Sequence, residues 1–297
     1  MSLRSTVDIA IQMLRALRYA PVLVALFASC KRGDAVPSYL QLGTPAVQTD
    51  PNVQGSNSQN ITDLWVFVND KPVGVWESGS RVPVLTSGAV NVKLIAGVRR
   101  NGFRDDRIQY PFYATWSGEM TLVEQNTTTV APGFTYFDNS LFWTEDFESA
   151  GHKFSRSDDS DTTLNLVHGQ DTVLGGATSG ELMVTTDRPF VRMFTTDPFN
   201  IGAPAFLELD YRSDHRLLIG VLYTPSGSTN TIDVPYLYLS PTLRSDGGMP
   251  WNKVYVDLSE LMSVPGASNE RFYLQLDLVD GSSSGRVFLD DLKLVHR

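Results

Sequence analysis

Tyr236, Tyr238, Tyr255 and Tyr273, with Glu208, Asp210, Gln275 and Asp277, are the side chains of this sequence best suited to hold a ligand. Six of the eight sit in Phe206-Leu-Glu-Leu-Asp-Tyr211, Lys253-Val-Tyr-Val-Asp-Leu258 and Phe272-Tyr-Leu-Gln-Leu-Asp-Leu278, where apolar and polar residues alternate. Such segments read as strands with one buried and one wet face. Leu207, Leu209, Val254, Val256, Leu258, Leu274, Leu276 and Leu278 share one parity and are expected to line a core. The six take the other parity, and Tyr236 and Tyr238 likewise face away from Leu237 and Leu239. Tyrosines among carboxylates and an amide have the chemistry of a sugar site. The rings stack on the apolar C–H face of a pyranose, and the polar groups bond its hydroxyls. The same composition suits a solvated face of cross-strand pairs, or a face covered by another part of the chain. Parity does not separate these three readings.

Catalytic patterns are sparse. His152, His168, His215 and His296 show neither His-x-x-x-His nor Glu-x-x-His spacing, so no zinc site is suggested. There is no phosphate-binding glycine loop. The expectation is a non-catalytic protein; a glycoside hydrolase using an unmarked pair of acids ranks third among the functional readings. Asp158-Asp-Ser-Asp161 lacks EF-hand spacing and reads as a solvated turn. Arg99, Arg100, Arg104 and Arg107 are interrupted by Asp105 and Asp106 and read as a charged hairpin loop. With 24 Lys and Arg against 33 Asp and Glu, the formal net charge of −9 argues against nucleic acid as a partner.

These segments belong to a chain that is strand-like almost throughout after residue 61. Leu64–Val68 and Pro72–Trp76 flank Asn69-Asp70-Lys71, and Asn and Asp tolerate the left-handed backbone of a tight hairpin. Val90, Val92, Leu94 and Ala96 alternate in a third strand; Tyr110–Tyr113 and Met120–Val123 read as further ones. Short strands and regular turns predict an all-β chain. Its expected parts are an N-terminal Ig-like β-sandwich at 56–138 and a C-terminal jelly roll at 142–297.

The C-terminal part resembles the jelly roll of galactose-binding-like and carbohydrate-binding modules. The resemblance rests on Asp146-Phe-Glu148, Trp251-Asn-Lys-Val-Tyr-Val-Asp-Leu258 and the closing Val287-Phe-Leu-Asp-Asp-Leu-Lys-Leu294. It implies glycan binding, and a structural calcium at Glu148 and Asp290. Two carboxylates would need carbonyls or water to complete such a shell, and the pair is equally read as loop caps.

Cys30, the single cysteine, closes an apolar run that begins at Tyr19 and follows Arg15 and Arg18. With Ala28 and Ser29 before it, the segment resembles a bacterial lipobox, which implies a cleaved signal peptide at 1–29 and acylation of Cys30. Met13 fits as the start of the signal. The run is too short to span a bilayer. Residues 30–55 read as a lipidated tether into a first strand. With Pro37-Ser-Tyr-Leu-Gln-Leu42 and Ile61-Thr-Asp-Leu-Trp-Val-Phe-Val68, the whole chain resembles outer-membrane lipoproteins of Bacteroidota. Implied partners are the membrane, through the lipid, and a glycan or an outer-membrane protein complex. The periplasmic and surface sides stay open.

Overall fold

The computed structural model describes residues 36–297, which form strands and loops without any helix. The expected signal peptide at 1–29, Cys30 and the start of the expected tether lie outside the described residues.

The first ten strands are β1 (Ser38–Leu42), β2 (Ala46–Gln48), β3 (Asp63–Val68), β4 (Lys71–Glu77), β5 (Arg81–Val84), β6 (Gly88–Arg99), β7 (Arg107–Gln109), β8 (Trp116–Leu122), β9 (Thr127–Val130) and β10 (Gly133–Thr135). They make sheets of order β5-β1-β9 and β10-β2, and a sheet β4-β3-β6-β7 to which β8 adds beside β6. The expected tether is therefore corrected from Ser38 onward. Leu40 and Leu42 of β1 are fully buried, and β1 pairs parallel with β9. The β3–β4 hairpin turns on Asn69 and Asp70 at φ of 50° and 62°, the left-handed region that these two residues tolerate.

The remaining strands are β11 (Leu141–Glu145), β12 (Phe154–Arg156), β13 (Asn165–His168), β14 (Thr178–Thr185), β15 (Phe190–Thr195), β16 (Ala205–Ser213), β17 (Leu217–Thr224), β18 (Ile232–Leu239), β19 (Asn252–Asp257), β20 (Ser268–Asp277) and β21 (Ser284–His296). They form two facing sheets: β13-β14-β21-β16-β19, with β11 beside β21, and β12-β15-β20-β17-β18. Between them lie Leu182, Leu207, Leu209, Val254, Val256 and Leu289 from one side and Val191, Met193, Ile219, Val221, Leu274 and Leu276 from the other. The leucines and valines expected in the core are there; Leu278 is partly buried at its margin.

No sheet mixes strands from the two sets, yet their cores are not separate. Phe206, Tyr255 and Val295, on the outer face of the β16–β19–β21 sheet, belong to the cluster formed by the first set. Strand β16 is thus covered on both faces. Tyr110–Tyr113, expected as a strand, is instead a turn segment that fills this junction. Tyr110 packs edge-on against Tyr255 at 4.9 Å and Phe206 at 5.4 Å, and Tyr113 lies 4.9 Å from Tyr136. Each buried ring contributes about 1.5–3 kcal/mol through removal from water.

Candidate functional site

The eight candidate residues divide between the two sheets and therefore between opposite sides of the sandwich. Glu208, Asp210 and Tyr255 lie on β16 and β19; Tyr236, Tyr238, Tyr273, Gln275 and Asp277 lie on β18 and β20.

The first group is corrected as a ligand face, because the N-terminal strands cover it. Glu208, Asp210 and Tyr255 are 0 %, 3 % and 1 % exposed. Tyr110 and Tyr136 donate their hydroxyls to Glu208 Oε1 at 2.6 and 2.9 Å. Lys253 Nζ lies 3.1 Å from Asp210 Oδ2 and 3.7 Å from Glu208 Oε2. Burial works against the Lys253 charge, but Asp210 and Glu208 outweigh it and hold the ammonium above the ordinary lysine value. Tyr255 Oη accepts from the Asn60 amide at 3.0 Å and sits 3.4 Å from Tyr113 Oη. Water is excluded and most of the polar atoms are spent on one another, so the group joins two parts of one chain.

The second group lies on the outer face of the β12-β15-β20-β17-β18 sheet. Register aligns Arg192, Gln275, Leu218 and Tyr238 in one row across four strands. Arg192 Nε donates to Gln275 Oε1 at 2.8 Å, and Gln275 Nε2 donates to Asp277 Oδ2 at 2.8 Å. Gln275 therefore orients its neighbours instead of presenting a free amide. Tyr273 is the floor of this face: it is fully buried beneath Arg192, whose guanidinium carbon lies 4.7 Å from the ring centroid. It fits there because its ring lies across Gly220 of β17. Burial, and then the Asp233 carboxylate, push its hydroxyl well above the ordinary tyrosine range. Arg192 also bridges to Asp233 at 2.8 Å.

Tyr238 is the open ring, 50 % exposed, with Arg216 packed 4.8 Å from its centroid. Tyr238, Arg216, Gln275, Asp277 and Asp280 border a cleft of about 390 Å³. Tyr236 does not join it. A bulge between Ile219 and Gly220 in the β17–β18 pairing changes its direction, and its hydroxyl accepts from Asn101 Nδ2 at 3.0 Å. Arg192 and Arg216 were missed from the sequence, although Val191-Arg-Met193 carries the same alternation that marked the tyrosines.

Glu148 and Asp290 do not fit a calcium shell as placed. Glu148 Oε1 accepts from the amides of Ala177 and Thr178 at 2.8 and 2.9 Å. Asp290 Oδ2 accepts from Ser179 Oγ at 2.7 Å and the Leu174 amide at 3.2 Å. Glu148 Oε1 and Asp290 Oδ2 thus face hydrogen-bond donors of the 174–179 segment, whereas calcium is held by oxygen ligands. Among the described residues, no group of three or more Asp, Glu, His or Cys could hold a metal.

No protein-family model matches this chain, and no curated protein is significantly similar to it. Solved structures do resemble it. A carbohydrate-binding module of the β-sandwich superfamily, described for promiscuous specificity, shares 13 % identity at a TM-score of 0.38, covering 78 % of this chain and 84 % of that one. A module specific for non-crystalline cellulose shares 13 % at 0.35, covering 50 % and 91 %. The family 11 module of a cellulosomal cellulase of Clostridium thermocellum shares 14 % at 0.34, covering 52 % and 92 %.

Proposed function

We propose that this chain is a non-catalytic glycan-binding lipoprotein of the cell envelope, anchored through Cys30, and that its binding face is the outer side of the β12-β15-β20-β17-β18 sheet. One observation carries the reading: a half-exposed tyrosine, Tyr238, stands beside a polar row fixed by Arg192 and Gln275 over an open cleft. A pyranose offers an apolar face to such a ring and hydroxyls to the flanking Asp277 and Arg216. A face for docking another protein would be flatter and more apolar than one bearing Arg192, Arg216, Asp233 and Asp277. The two carboxylates at the cleft, Asp277 and Asp280, are both exposed, whereas a glycosidase acid is typically held in a pocket that keeps it protonated.

The test is a glycan array probed with the whole chain, repeated with Tyr238→Ala. Binding reduced about tenfold or more by the substitution supports the reading. Binding that Tyr238→Ala leaves intact moves the site elsewhere, and no binding to any glycan overturns the reading.

A further inference from the structure

The tip of the β6–β7 hairpin is hooked onto the second set of strands. Asn101 uses three polar groups to hold it there: its amide donates to the Tyr255 carbonyl at 2.8 Å, its Oδ1 accepts from the Asp257 amide at 2.8 Å, and its Nδ2 donates to Tyr236 Oη. Arg100 makes a parallel bridge to Tyr255 and lies 3.6 Å from Asp257 Oδ2. Asn101 and Gly102 take φ of 58° and 73°, which brings the turn against Val254. The tip thus covers β19, the edge of its sheet, which would otherwise expose unpaired backbone groups.

Covering an edge does not require what comes next in the chain. Phe103, 55 % exposed, follows the hook and lines a second cleft of about 390 Å³. Trp251, Asn252 and Tyr238 line the same cleft, with the buried Tyr211 at its base. Tyr211 is held in place by donating to the Ser240 carbonyl at 3.0 Å. Tyr238 borders this cleft and also the one beside Gln275 and Asp277. The two therefore meet at one ring, and each has the volume of an ordinary small-molecule site, about 300–1,000 Å³.

We infer that the second cleft is a further glycan subsite, and that the ligand is an extended oligosaccharide passing over Tyr238, with Phe103 of the N-terminal strands contacting its far end. This rests on the glycan reading above. Phe103, Trp251 and Tyr238, all at least partly exposed, provide stacking surfaces at the second subsite. The hook fixes the position of the turn preceding Phe103 before the ligand arrives, which lowers the ordering cost of binding. A single terminal sugar would fill only one cleft and leave Phe103 untouched.

The experiment is calorimetric titration of the whole chain with cello-, xylo- and galacto-oligosaccharides, comparing disaccharide with hexasaccharide. The hexasaccharide is expected to bind about tenfold or more tightly than the disaccharide. Phe103→Ala should remove most of that gain while leaving disaccharide binding and the melting temperature unchanged. Tyr238→Ala should weaken both ligands. Equal affinity for short and long ligands, or a Phe103→Ala variant that keeps the full gain, overturns the extended site while sparing the first cleft. No binding of any of the probes by the unsubstituted chain overturns the inference and counts against the glycan reading as well.

Discussion

Tyr110 donates its hydroxyl to Glu208 across 2.6 Å, and the two residues come from opposite sides of the junction between the two sets of strands. The carboxylate also takes the Tyr136 hydroxyl and faces Lys253. Removing one member of such a buried group leaves the others desolvated and unpaired. Glu208→Ala is expected to destabilise the protein by about 3–5 kcal/mol, and Tyr110→Phe by only about 1–2 kcal/mol. Denaturant midpoints would check the order; equal effects would show that Glu208 is not the hub.

Gly220 sets the position of Tyr273. A Cβ there would lie 2.2 Å from Tyr273 Cζ and 2.3 Å from its hydroxyl, so the ring must move. Gly220→Ala should cost about 1–3 kcal/mol and weaken glycan binding by releasing Arg192 from its support. Thermal melts and the array read the two effects, and an unchanged melt would contradict the packing described.

Strand parity separated the two faces of β16, β19 and β20, because the side-chain period of two is local. It could not say which strands share a sheet. Tyr255 and Tyr273 have the same parity and similar neighbours, yet one faces the N-terminal strands and the other lies beneath Arg192 on the opposite sheet. That difference arises from long-range strand order. Tyr236 was misassigned for a smaller reason, the bulge opposite Ile219 and Gly220. Strand β1 was missed because its five residues sit between stretches rich in Pro, Gly and Gln, and only pairing with β5 and β9 makes it a strand.

Asp290 gives a pH signature. Burial lifts its carboxyl from the ordinary 3.8 to about 6. A raised folded-state value means the folded protein binds this proton more tightly, so the group's stabilising contribution is complete below about pH 4 and is lost as pH rises through about 6. Lys293 runs the other way: burial pushes it down to about 8, so its contribution is present above its ordinary value of 10.5 and is lost as pH falls through about 8. Asp290→Asn should flatten the loss of stability between about pH 4 and pH 6 and leave the alkaline limb alone. Parallel slopes for variant and parent across the acid range would refute the assignment.

Cys30 carries the cellular prediction. Mass spectrometry of membrane-extracted protein should find lipid on this residue, and Cys30→Ser should move the protein into the soluble fraction. Detergent-free solubility of the unsubstituted protein would remove the anchor from the account.

The placement of β1 between β5 and β9 has a mechanical consequence. Its backbone bonds run sideways to both neighbours, antiparallel to one and parallel to the other. A chain held by lipid at Cys30 and by a glycan at Tyr238 would feel tension enter at residue 36 and travel along β1. Pulled along its own axis, the strand would be sheared, with its lateral bonds loaded together, instead of being peeled away one bond at a time. Those few buried residues would act as the clasp between a membrane and whatever the far end holds.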